Sequence, residues 1–154
     1  MPNNKIQDIT YARVACTTRD MKQDKHRTRT TVGGNNVKHA GDVGTPTAHL
    51  EIAKMLFNSV LSRKNAKFMS IDISNFYLMT PLDEHEYLRM HVKTIPQEII
   101  EEHNLEQLQN NGWVYVETRK GACGLPQSGL LANDLLKERL QKAGHYPTST
   151  TPGL

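Results

Sequence analysis

Two short runs rich in β-branched residues follow each other near the start of the chain, at residues 11–17 and 27–32. A polar link, residues 19–26, is all that separates them, and this spacing predicts an antiparallel hairpin. Period-2 alternation places Arg27 and Arg29 on one face of that hairpin. Because helical patterns follow it, the early hairpin favours an α+β fold over a regular βαβ winding.

Downstream, glycine, proline and hydrophobic periodicity define the other elements. A glycine-rich loop at 33–44 precedes a predicted helix, with Thr45 as its N-cap, Pro46 in its first turn and its end near 63–65. Its apolar stripe has helical spacing: Leu50, Ala53, Leu56, Phe57, Val60 and Leu61. The later patterns predict a bend at 75–81, a strand at 87–93, a helix at 97–109, a strand at 113–119, a loop at 120–127, a helix at 128–143 that stops at Gly144, and a tail at 147–154 without an element.

Residues 67–74 form the most informative alternating segment. Met69, Ile71 and Ile73 fall on one face of a predicted strand. If that aliphatic face meets the preceding helix, Asp72 projects from the opposite face. Aspartate is disfavoured in strands, so Asp72 becomes a candidate functional residue, the alternative being a hydrogen-bonded structural carboxylate.

Composition bounds the class of protein. The 154 residues suit one domain or part of one, and no apolar run approaches the roughly 20 residues of a membrane-spanning helix. The first ten residues have no apolar signal-peptide core, so we expect a soluble intracellular protein, in the cytoplasm. Two cysteines, Cys16 and Cys123, make no disulfide framework, and the seven histidines lack zinc-site spacing.

The net charge of +3 is unevenly distributed. Residues 1–45 contain eight Lys and Arg against four acids, whereas residues 46–154 contain eleven against twelve. A basic end suggests contact with phosphates, but charge alone favours the simpler explanation, an ordinary solvated face. Nucleotide-binding GxxxxGK[ST] and GxGxxG loops and the hydrolase GxSxG turn are absent from the sequence, which excludes those enzyme classes.

Four sequence segments are informative when they are taken together in chain order: RTRTTVGG, GDVGTPTAHL, SIDISNFYLMTPL and KGACGLPQSGLLA. Together they resemble the reverse transcriptase of LTR retrotransposons, of the copia type, over nearly the whole chain from Tyr11. The resemblance implies the fingers and part of the palm of a right-hand polymerase, with residues 11–45 as the basic fingers hairpin and loop, and 46–154 as the remaining fingers and the first part of the palm.

The resemblance also assigns roles to individual residues. Asp72 matches a catalytic aspartate that binds Mg²⁺, and the Ile73 carbonyl would face the same metal. Arg29, or else Arg27, would hold the triphosphate of the incoming nucleotide. Tyr77 matches the bulky residue that excludes a ribose 2′-hydroxyl, and Gln127 matches a residue that contacts the nucleotide. The implied partners are an RNA or DNA template–primer and a dNTP, with no membrane.

The sequence departs from the family at three places. No Asp-Asp pair occurs anywhere in it, Asn75 stands where the family has an acid, and Ala122-Cys123 replaces a larger pair. Reverse transcriptases use two Mg²⁺ ions for nucleotidyl transfer to a primer 3′-hydroxyl, and one carboxylate cannot hold both. We therefore expect a fragment, without the remaining palm, the thumb or RNase H, that is inactive alone. The alternatives are a non-catalytic nucleic-acid-binding remnant or an unstable relic of a decayed retroelement.

Overall fold

The computed structural model describes residues 9–149, which form a mixed α+β fold around one four-stranded sheet. In chain order the elements are β1 (Thr10–Thr18), β2 (His26–Val32), α1 (Leu50–Leu61), α2 (Phe76–Met79), β3 (Pro81–His91), α3 (Gln97–Glu102), α4 (Leu105–Leu108), β4 (Trp113–Lys120) and α5 (Ser128–Lys142). Short 3₁₀ turns occupy Gly34–Asn36 and Val92–Thr94.

The predicted N-terminal hairpin is confirmed. β1 and β2 pair antiparallel, from Ala12 opposite Val32 to Thr18 opposite His26. The sheet order is β2-β1-β3-β4, so β1 also joins β3, through a short parallel contact that begins at Thr10 opposite Leu88. β3 and β4 pair antiparallel along most of their length, with a register shift near the start of β3. The hairpin therefore extends from one edge of the sheet.

The hydrophobic core lies where the sheet meets the loop before α5. Val32, Leu82, Leu88 and Leu125 are buried together. Partly buried side chains pack against them: Ala12, Val37, Ala122 and Leu131. Burial of such aliphatic groups is the main favourable contribution to folding, so this cluster joins the base of the hairpin to β3 and α5.

The predicted strand at 67–74 is wrong. These residues are exposed and pair with no other strand among residues 9–149. Alternation alone indicates that a segment can form a strand, whereas a strand also needs a hydrogen-bonded neighbour, and β1 to β4 pair with one another instead. Phe68, not the aliphatic set, meets the preceding helix, since its ring centroid lies 4.6 Å from that of Phe57.

Two helix boundaries also differ from the prediction. α1 begins at Leu50 with His49 as N-cap, because Thr45 and Pro46 lie against α5 instead of starting a helix. The predicted helix at 97–109 is two short helices, interrupted at Asn104, which has φ +51°. Asparagine adopts this left-handed conformation more readily than most residues, so it ends α3.

The strand and helix in the C-terminal half agree better with the sequence pattern. β3 starts at Pro81, earlier than the predicted 87, and ends at His91, so that Val92 lies in the following turn. β4 and α5 match their predicted positions closely. Gly144 ends α5 at φ +84°, and the His145 amide donates to the Leu140 carbonyl at 2.9 Å, as expected of a glycine cap.

A polar cluster on β3 and β4 ties these strands together. Glu117 accepts from Arg119 Nε at 2.7 Å and from the Tyr87 hydroxyl at 3.2 Å, and lies 3.2 Å from His85 Nδ1. Hydrogen bonds with Arg119, which has the largest effect, and with His85 lower the pKa of the Glu117 carboxyl. Burial and the hydrogen bond to Glu117 raise the pKa of Tyr87.

Over residues 9–149, every helix is too short or too polar to cross a bilayer. Both cysteines, Cys16 and Cys123, are exposed and carry free thiols.

Candidate functional site

Three arginines share one face of the β1–β2 hairpin. Ala12 and Val32 form a pair that contributes to the core, so residues of odd number in both strands project from the other face. Arg13, Arg27 and Arg29 all belong to this exposed face, and no acidic residue of the two strands does. Among the described residues none of the three arginines has an ion-pair partner. We call Arg13, Arg27 and Arg29 the arginine face.

The glycines of two motif segments meet where β2 ends. The Val32 amide donates to the Cys123 carbonyl at 2.8 Å. A Cβ on Gly34 would overlap the Gly124 carbonyl, and a Cβ on Gly124, where φ is +102°, would overlap the Val32 carbonyl. Only residues without a side chain permit this approach of two backbones. The glycines after β2 and the loop before α5 thus form one packed junction.

Tyr77 packs on the other side of the same loop. The Gly121 amide donates to the Thr80 carbonyl at 2.8 Å, which joins the loop to the residue after α2. A Cβ on Gly121 would lie 2.8 Å from the Tyr77 carbonyl, and one on Gly129 would lie 3.8 Å from the Tyr77 hydroxyl. The Ser128 hydroxyl accepts from the Ala122 amide at 3.0 Å and closes the loop. Tyr77 itself stays 39 % exposed.

Gln127 is buried at the start of α5, with 7 % of its surface exposed. Its Nε2 donates to Glu86 Oε1 on β3 at 2.9 Å. Its Oε1 is buried and has no hydrogen-bond partner in the part of the chain that the structure describes. No hydrogen bond joins Gln127 to Tyr77 or to Asp72 within residues 9–149.

Asp72 and Ile73 lie in the exposed segment after α1, outside any strand. Asp72 makes no side-chain hydrogen bond or ion pair with the part of the chain that the structure describes. Across that same part, no three histidine, cysteine, aspartate or glutamate side chains come together in a group that could hold a metal ion. A lone carboxylate with a neighbouring carbonyl does not fit a pair of Mg²⁺ ions, each of which takes six oxygen ligands.

The structure therefore brings together some of the predicted site residues and not others. Tyr77 lies against the loop at 120–127, which Gln127 ends. Arg27 and Arg29 lie on the hairpin face opposite to the one that packs toward this loop. No hydrogen bond among the described residues joins the side chain of Asp72 to that group.

Two residues of interest were missed by the sequence pattern. Arg13 has an odd number, as Arg27 and Arg29 do, and the strand pairing places odd-numbered residues of both strands on one face. A prediction of the hairpin register would therefore have included Arg13. Glu86 lies just before the predicted start of β3, and only the tertiary structure places it against Gln127.

Comparison with known proteins gives no match: no family model, no curated protein and no solved structure resembles the chain significantly.

Proposed function

We propose that this chain is the fingers and first palm portion of a copia-type retrotransposon reverse transcriptase, an RNA-directed DNA polymerase. The observation that carries the proposal is the packing of three of its four motif segments around one loop. Gly34 contacts Gly124, and Tyr77 contacts Gly121 and Gly129. These segments are far apart in sequence, and their contact is what a composite nucleotide site requires.

The arginine face is the surface we assign to the phosphates of template–primer and nucleotide. Guanidinium groups bind phosphate oxygens in a bidentate manner, and within residues 9–149 the three arginines have no carboxylate partner to compete with that role. By contrast, Arg19, in the hairpin turn, donates to the Asp24 carbonyl at 3.1 Å, so its guanidinium group is bound within the turn.

Catalysis by this chain alone is not part of the proposal. The motif segments supply one carboxylate at a position that matches a metal ligand, Asp72, and the sequence contains no adjacent aspartate pair. Gln127 is buried and its Nε2 donates to Glu86, so in this structure the amide joins the start of α5 to β3. We therefore propose that this chain binds template–primer and nucleotide. Nucleotidyl transfer requires a protein that supplies further carboxylates.

A primer-extension and binding assay tests this proposal. The chain is mixed with an RNA template annealed to a DNA primer, Mg²⁺ and dNTPs, and both complex formation and primer length are measured. We expect a complex whose affinity falls as salt rises, and no lengthened primer. Primer extension would overturn the assigned lack of catalysis, and absence of binding at low salt would overturn the assigned surface.

A non-catalytic nucleic-acid-binding module is the second candidate, since the arginine face needs no polymerase chemistry to bind phosphates. Competition separates the two candidates. A polymerase fragment should prefer the recessed end of an RNA–DNA hybrid over single-stranded RNA of the same length. Equal competition by both nucleic acids would favour the general binding module.

A further inference from the structure

One face of the sheet carries a row of aromatic and guanidinium groups that crosses three strands. Tyr11 of β1 lies opposite Arg89 of β3, and Arg89 lies opposite Tyr115 of β4. Residues that lie opposite each other project from the same face of a sheet. The neighbouring pair, Thr10 and Leu88, is buried, so the row projects from the other, exposed face. We call Tyr11, Arg89 and Tyr115 the cross-strand row.

The cross-strand row is continuous with the arginine face. Tyr11 and Arg13 are two positions apart on β1, and alternation places both on the same face. Arg89, like the residues of the arginine face, has no carboxylate partner within residues 9–149. Glu117 of β4 shares this face, and its carboxylate accepts a hydrogen bond from Arg119. The arginines therefore give the surface a basic character, which suits a polyanion.

Packing against the backbone holds the ring of Tyr11 in place. A Cβ on Gly33 would overlap this ring, so the ring lies directly over the glycine. The Gly33 amide donates to the Tyr11 carbonyl at 2.9 Å, and the Tyr11 hydroxyl donates to Asn35 Oδ1 at 3.5 Å. Tyr11 nevertheless keeps 37 % of its surface exposed. The ring is thus positioned by the hairpin and remains accessible to a ligand.

Arg89 is supported by an aromatic ring of β4. Its guanidinium carbon lies 5.2 Å from the centroid of the Trp113 ring, in a cation–π contact. The His91 ring packs edge-on against the same indole, with 5.1 Å between the ring centroids. Arg89 remains exposed, and Tyr115 has 45 % of its surface exposed. The row therefore presents planar groups to solvent on both β3 and β4.

Planar groups on a basic surface match single-stranded nucleic acid. Unpaired bases stack on aromatic rings and on guanidinium planes, while positively charged side chains contact the phosphates. Adjacent strands lie about 4.8 Å apart, so the backbones of Tyr11 and Tyr115 are about 10 Å apart, which leaves room for separate bases. A paired base is stacked within its duplex, so these rings favour a strand that has no partner.

We propose that this sheet face binds the unpaired stretch of a nucleic-acid strand, whose bases stack on the cross-strand row. The inference rests on the proposed function for its phosphate contacts, which the arginine face supplies. Stacking adds a preference for unpaired bases and no selectivity for sequence, because every base has a planar face.

Two strands of equal length and charge test the proposal on the whole chain. One is oligothymidylate, and the other is an abasic strand that has the same phosphates and no bases. Fluorescence anisotropy should show that oligothymidylate binds about tenfold or more tightly than the abasic strand. Equal binding of the two strands overturns this proposal and leaves the proposed function intact, whereas failure of both strands to bind at low salt overturns both.

Substitutions of exposed tyrosines locate the stacking. Tyr115→Leu removes the ring but keeps an apolar side chain, and should weaken oligothymidylate binding about fivefold or more without changing the affinity for the abasic strand. Tyr115→Phe keeps the ring and should bind as the unaltered chain does. Tyr146→Leu is the matched control, at an exposed tyrosine beyond α5, and should have no effect. Unchanged binding by Tyr115→Leu, or equal weakening by Tyr146→Leu, overturns the proposal.

The fluorescence of Trp113 provides a measurement on the unaltered chain, since the sequence contains one tryptophan. A base stacked on Arg89 lies next to the indole that supports this guanidinium. Oligothymidylate should therefore quench the emission as it saturates, and the abasic strand should not. Emission that responds to neither strand, or equally to both, overturns the proposal.

Discussion

Gly124→Ala is expected to lower the free energy of unfolding by about 3 kcal/mol or more. The new Cβ would overlap the Val32 carbonyl, and φ at this residue is +102°, a conformation that alanine strongly disfavours. Neither strand β2 nor the loop can move freely, because the Val32 amide is bonded to the Cys123 carbonyl. The midpoint of urea unfolding, followed by circular dichroism, measures the loss.

Gly144→Ala is the matched control for that prediction. Gly144 also has positive φ, +84°, but nothing lies within 4 Å of a Cβ built there. The backbone penalty should therefore appear alone, at about 1–2 kcal/mol. If the two variants lose equal stability, the backbone contact between Gly124 and Val32 is not a close one, and the junction described above does not exist.

Replacing all three residues of the arginine face by glutamine is expected to weaken binding of an RNA–DNA primer–template by about tenfold to a hundredfold at low salt. Each lost phosphate contact removes about 0.9 from the slope of log affinity against log salt, so the slope should fall by about 2–3. Fluorescence anisotropy at several salt concentrations measures both quantities.

A variant with the same change in charge provides the comparison. Lys137, Arg139 and Lys142, all on α5, are replaced together by glutamine. Because two of these side chains already pair with Asp134 and Glu138, we expect little change in the salt slope. A slope that falls equally in both triple variants would mean that net charge, and not the arginine face, governs binding.

Local sequence patterns predicted the elements whose stability is largely local. The β-branched runs around Arg13 and Arg29 made a hairpin, and the leucine pattern with Gly144 defined α5. The same patterns overpredicted the strand at 67–74, since a strand depends on a partner that no local signal supplies. They also missed the break at Asn104, where one residue in the left-handed region ends a helix.

The contacts of the candidate site could not be predicted from the sequence. The resemblance to a reverse transcriptase singles out Tyr77 and Gln127, and the structure places Tyr77 against the loop at 120–127, which Gln127 ends. The hydrogen bond from Gln127 to Glu86 spans 41 positions in sequence, so periodicity carries no information about it.

Mapping where nucleic acid touches the chain tests the central claim most directly. An RNA–DNA primer–template that carries a photoreactive base near the primer end is crosslinked to the chain, and the labelled peptides are identified by mass spectrometry. We expect labelling of the β1–β2 hairpin and of the loop at 120–127. Labelling confined to α3, α4 or the end of α5, with the hairpin unmodified, would contradict it.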